Sequence, residues 1–247
     1  MFPSSLVASS SRWQSKLPEY ARRALHHDQM ELDSALSQMY SLCTTPASVS
    51  KMTKARKVTK NHYYRDDPGF IVLQCFFLIV SSVVFGVALQ SRILHVLYNI
   101  LYSVAIDYFV VGGIAASATW AYANKFLMTS SHLHEVRREV EWQHSFDIHC
   151  NGYFPYFMIT HVLQFALLPL LVQDTFLARL VANSMYTVAL ATYFYNTFRG
   201  YVELPMLARQ QTFLYPMLGV VCIAVVATVT TSINMTHVMI HQSWPIV

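Results

Sequence analysis

The sequence predicts an all-α, polytopic membrane protein with five transmembrane helices and an N-terminal cytosolic helical region. Three observations carry this. Only 12% of the 247 residues are charged and 54% are hydrophobic, with a mean hydropathy of +0.35, whereas a soluble domain carries about 25% charged residues. Five stretches supply the run of about 20 apolar residues that a helix needs to cross a hydrocarbon core about 30 Å thick. Lysine and arginine, finally, crowd alternate connections between those stretches.

Residues 1–16 contain no apolar core of the kind a cleaved signal peptide needs and are expected to be disordered. Residues 17–43 read as a helix, with Leu25, Leu32, Leu36, Met39 and Cys43 recurring at helical spacing. Thr44-Thr45-Pro46 ends it. Such a helix either packs on the cytosolic ends of the bundle or lies in the membrane interface. The following KMTKARKVTK holds five Lys/Arg in ten residues, a basic linker that marks the cytosolic side and suits anionic headgroups. In RDDPGF, Asp67 is placed to cap the first span, with Pro68 at the first helical position and Asp66 adding favourable charge at the helix start.

The five expected spans are 69–90, 96–123, 153–172, 176–198 and 213–235, leaving 236–247 as a short lumenal tail. Ten Lys/Arg fall in residues 1–68, three between spans two and three, and two between spans four and five; the opposite side has Arg92 and Arg179 alone. Fifteen against two places the N-terminus in the cytosol and the C-terminus in the lumen. The sequon at Asn234 is therefore lumenal, but it sits too near a helix end to be glycosylated. The four cysteines are widely spaced and suggest neither a disulfide framework nor a zinc knuckle.

One polar stretch, EVEWQHSFDIHCNGYFP at 139–155, has the residue types of a metal site. A site needs about four placed ligands. Glu141 and His144 share a helical face, while His149 points away. A carboxylate-bridged di-iron centre needs a second Glu-x-x-His pair, which the chain lacks; His237 and His241 lie across the bilayer. The stretch reads better as the polar entrance to the third span, and no cofactor is expected.

Inside the membrane, Asp107 would cost at least about 2.5–3.5 kcal/mol if charged and unpartnered. At 1.5 Å per residue, Asp107, Asn183 and Gln164 fall about 21, 20 and 16 Å from the cytosolic boundary, and His161 about 12 Å. These four form the candidate interior cluster; the bland alternatives are a protonated Asp107 and a satisfied core His161. In VVGGIAASA, Gly112 with Ala116 and Gly113 with Ser117 make small-xxx-small pairs suited to close helix contact.

Several motifs in order carry a family resemblance: DSALSQM and TTP near the start, RKVTKNHYYRDDPGF, AID, NKFL, VEWQHSFDIHCNGYFP, GYVELP, LYP and NMTH. Over about 20–237 the chain resembles the UNC-fifty (uncoordinated-fifty) family of five-span Golgi membrane proteins. The resemblance implies a non-catalytic role in vesicle-mediated transport and in cell-surface delivery of membrane receptors. It also implies an Arf-type guanine-nucleotide exchange factor as cytosolic partner and receptors as cargo. The expected location is the Golgi membrane, with the endoplasmic reticulum and the inner nuclear membrane as further possibilities. The partners are thus the bilayer, the exchange factor and cargo, and no specific nucleic acid. Arg65, Asp66, Asp67, Glu141, Trp142, Asp147 and His149 stand at family-like cytosolic positions, either as a docking cluster or as groups that satisfy one another. Two other classes are alternatives: a small transporter or channel with a polar pathway around Asp107, and a membrane-embedded lipid enzyme, for which no catalytic constellation is visible.

Overall fold

The computed structural model describes residues 30–129 and 139–244, and every element in them is helical apart from one isolated bridge between Met128 and Leu207. The disorder expected for 1–16 and the start of the 17–43 helix fall outside the described residues. In chain order the helices are α1 (Leu32–Thr44), α2 (Pro46–Lys60), α3 (Gly69–Ala88), α4 (Ile93–Leu127), α5 (Trp142–Leu171), α6 (Phe176–Val202), α7 (Tyr215–Thr230) and α8 (Met235–Ser243).

Among the described residues four helical stretches are long and apolar enough to cross a membrane: Gly69–Ala88, Ile93–Leu127, Trp142–Leu171 and Gln210–Thr230, the last being α7 with a preceding 3₁₀ turn. α6, where a further span was expected, has the length but a more polar composition. Its 27 residues include the buried Asn183, Asn196 and Thr197. The helix sits centrally, packed against α5 and α7 and touched by α2 and α8, so its polar groups meet protein. α3 and α7 instead turn apolar side chains outward, among them Phe76, Val87, Ile223 and Val229.

Several boundaries differ from the expectation, each for a local reason. The basic linker is a helix, α2, started by Pro46 and ended by Asn61 in the left-handed conformation (φ 62°). Its buried side carries Val49, Ser50 and Thr53, a stripe that the lysines obscure in the sequence. Asp67 does not cap α3. Its carboxylate accepts instead from the Glu31 backbone N–H at 3.2 Å, tying the start of α1 to the start of α3. The polar stretch before the third span is the first half of α5, where Asp147 and Asn151 meet Arg65, and Ser145 and His149 meet Tyr201 and Tyr193 of α6.

The last span stops at Thr230 rather than 235. Thr228, Thr230 and Thr231 all donate their hydroxyls to carbonyls four residues back, which weakens a helix end. Asn234 then caps α8 by accepting from the Thr236 N–H at 2.9 Å. The expected tail is thus largely a helix folded against the bundle.

α4 and α5 leave regular α geometry in places, with wider π-type turns at Tyr102–Val110, Ala123–Leu127 and Met158–Leu163. Pro155, which has no N–H with which to close a bond to Asn151, lies in the α-helical turn before the α5 segment.

Candidate functional site

Two polar regions occupy the bundle. The first lies where the α1–α2 layer meets the start of α5. Arg65 is buried there at 7% exposure. Its guanidinium lies 3.7 Å from the Asp147 carboxylate, donates to the side-chain carbonyls of Asn151 and Gln38, and stacks 4.2 Å over the Phe70 ring. The Arg65 backbone N–H also donates to Asp147. One side chain therefore joins α1, α3 and α5. Burial lowers the nearby Arg56 guanidinium to about 10, the Arg65 charge adds to this, and Asp147 and Asp66 oppose it.

The other expected cytosolic residues also find internal partners. Asp66 pairs with Lys60 at 2.7 Å and His62 at 3.2 Å. Glu141 accepts from the Tyr63 backbone N–H at 3.5 Å, and is not the partner of Arg65. Trp142 is 40% exposed, yet its indole N–H reaches the Ser117 hydroxyl of α4 at 3.0 Å and its ring stacks on Phe146. His149 is no surface group: it is buried, with Nδ1 3.0 Å from the Tyr193 hydroxyl on α6. Gly112 passes against its ring, and any Cβ there would overlap His149, whereas a Cβ on Gly113 would meet nothing within 4 Å. Among the described residues the close contact in VVGGIAASA is thus made at Gly112 and not at Gly113.

The second region is a partly open cavity of about 330 Å³ lined by α3, α4, α5, α6 and α8. Asp107, His161 and Gln164 all line it. Gln164 accepts from the Tyr186 hydroxyl at 2.8 Å, and His161 pairs with Thr160 at 3.1 Å. Asn183 stands apart from this group. Its amide donates to Thr228 and to the Ile233 carbonyl and accepts from the Met235 N–H, each at 3.0 Å. It locks the turn between α7 and α8, so the four-residue cluster expected from depth alone is split, because residues at similar depth sit on different faces of their helices.

The sequence reading missed most of the cavity wall, although a signal was present. Asn99, Ser103 and Asp107 recur every fourth residue and line the cavity together with Val111 and Ala115. Tyr153, Tyr156, Thr160 and Gln164 make the facing row on α5, and Tyr186 and Tyr193 on α6 complete it. Residues three and four apart share a helix face, so these polar stripes were legible as one wall. Among the described residues no three His, Cys, Asp or Glu side chains gather where they could hold a metal ion.

Apolar helices of membrane-crossing length, with polar side chains paired inside the bundle, define an integral membrane protein. Its relatives narrow the class. The UNC-50 family model matches residues 20–244, and the chain belongs to the UNC-50 family. It is 37% identical over 236 residues to a Dictyostelium discoideum protein unc-50 homolog, covering 95% of this chain and 90% of the relative. It is 36% identical over 228 residues to protein unc-50 of Caenorhabditis elegans, covering 92% and 73%. Against the human protein unc-50 homolog it is 36% identical over 199 residues, covering 80% and 76%. No solved structure matches the chain.

Proposed function

We propose that this UNC-50 family membrane protein is a non-catalytic trafficking factor of the Golgi and early secretory membranes. In this reading α6 is the fifth crossing, α1 and α2 lie in the cytosol, and α8 lies on the lumenal side. The protein supports vesicle-mediated transport and surface delivery of receptors by recruiting an Arf-type exchange factor to its cytosolic face. The excess of Lys/Arg on that side supports the orientation.

The observation that carries the docking surface is the outer side of the α1–α2 layer. Leu36 and Tyr40, one turn apart on α1, are 46% and 72% exposed, and on α2 Met52 and Val58 are 41% and 83% exposed among lysines. The layer is held to the bundle by Arg65, and its outward side keeps apolar groups free. An amphipathic helix of this kind suits a helix-in-groove partner. The residues first considered for docking are largely engaged inside the protein, which moves the surface from Glu141 and Asp147 to α1. Leu36→Asp with Tyr40→Asp should leave abundance and location unchanged and abolish co-purification with the exchange factor. Normal co-purification by that variant contradicts the reading.

The cavity favours a second reading, a small transporter or channel around Asp107. That reading requires flux of a solute in reconstituted vesicles, lost with Asp107→Asn.

A further inference from the structure

The cavity has an unbalanced charge. Among the described residues Asp107 is the one carboxylate on its wall, and neither lysine nor arginine lines it. Among the described residues no group donates a hydrogen bond to the Asp107 carboxylate or ion-pairs with it. An acidic group at membrane depth without a partner is costly. It needs a proton or a cation.

The surrounding wall favours a cation of a particular kind. Four tyrosines (Tyr153, Tyr156, Tyr186 and Tyr193) line the same space, with Phe85 and Trp244 toward its α3–α8 side. Aromatic faces attract ammonium groups within about 6 Å of the ring, more strongly where water is excluded. Hydroxyl and amide groups of Ser103, Thr160 and Asn99 add a few fixed polar contacts. A volume of about 330 Å³ stands at the lower end of small-molecule sites, about 300–1,000 Å³. It suits a headgroup or a small aromatic amine. Both helices that carry the central acidic and imidazole groups change to π-type turns there, Asp107 within Tyr102–Val110 and His161 within Met158–Leu163. Turns of that type recur at functional sites.

We infer that the cavity is a binding site for a monovalent organic ammonium group, with Asp107 as its counter-ion and the tyrosine rings as its cage. The site holds whether or not an exchange factor docks on α1 and α2. The natural amine comes either from a bilayer lipid or from solution, and the recognition chemistry is the same.

The test uses the full chain in dodecylmaltoside micelles, which contain no amine. Benzyltrimethylammonium should raise the melting temperature in a saturable way, and its uncharged carbon isostere, neopentylbenzene, should not. Asp107→Asn should weaken the ammonium probe at least tenfold, Asp107→Glu should keep most of its binding, and Tyr156→Leu should weaken it several-fold. Displacement of the probe by sphingosine assigns a bilayer amine, and displacement by phenethylamine a soluble one. Equal stabilisation by the charged and uncharged probes overturns the proposal. So does unchanged binding in Asp107→Asn or, should that variant not fold, in Tyr156→Leu.

Discussion

Arg65 and Asp147, 82 positions apart in sequence, meet in the protein interior, with the Arg65 guanidinium 3.7 Å from the Asp147 carboxylate. The pair fastens the segment before α3 to the first half of α5. Arg65 also holds Gln38 of α1 and Asn151 of α5. Removing one partner of a buried pair leaves the other charge uncompensated, which costs about 3–5 kcal/mol. Arg65→Ala should therefore lower the melting temperature of the detergent-solubilised protein sharply. Arg65→Met combined with Asp147→Leu should recover part of the loss. A melting temperature unchanged by Arg65→Ala would show that the network contributes nothing.

The two adjacent glycines of α4 should respond oppositely. Gly112→Leu drives a side chain into the His149 ring, while Gly113→Leu projects into open space. Size-exclusion profiles should show aggregation and low yield for the first and a monodisperse peak for the second. Equal loss in both would point to a contact at Gly113 with a second copy of the chain.

Asn183 should be the side chain on which the α7–α8 turn depends. Asn183→Ala removes three hydrogen bonds and leaves the Met235 N–H and Ile233 carbonyl without that partner. Ile233 is exposed and Met235 half-buried, so water can replace part of what is lost, and each bond contributes about 0.5–1.5 kcal/mol. Hydrogen exchange should accelerate across 231–244 and stay unchanged in α3. Uniform acceleration would mean the residue supports the whole bundle.

The sequon should remain unmodified for a reason visible in the fold. The Asn234 amide nitrogen, the atom that would carry the sugar, donates to the Leu171 carbonyl at 2.8 Å, and Thr236 is fully buried. Intact mass should be identical with and without glycosidase treatment in a secretory host. A shift on treatment would show that α8 detaches during synthesis.

Much of this fold is written in the chain as runs of apolar residues, and the breaks that differ are set by single side chains. The starts of α3 and α6 and the C-terminal ends of α3 and α5 fall close to where hydropathy places them, whereas α5 begins eleven residues early. α2 was hidden because its buried side is only Val49, Ser50 and Thr53 beneath a lysine-rich surface. The early end of α7 is set by threonine hydroxyls and by the Asn234 cap, which hydropathy does not register. For the candidate sites, depth along a helix was legible and facing was only partly so. Asp107, Gln164 and Asn183 are similar in depth, yet Asn183 faces α7 while the other two face the cavity. His149 belongs to the interior because Gly112 clears room for its ring, a pairing of distant positions that no local pattern announces.

The most direct measurement of the trafficking account is site-specific photocrosslinking at native expression, with benzoylphenylalanine placed at Tyr40 on α1 or at His241 on α8. Both positions are exposed. The account predicts a crosslink to an Arf-type exchange factor from position 40 and none from position 241. Absence of that crosslink at position 40 would contradict the docking surface, and its appearance at position 241 would contradict the orientation.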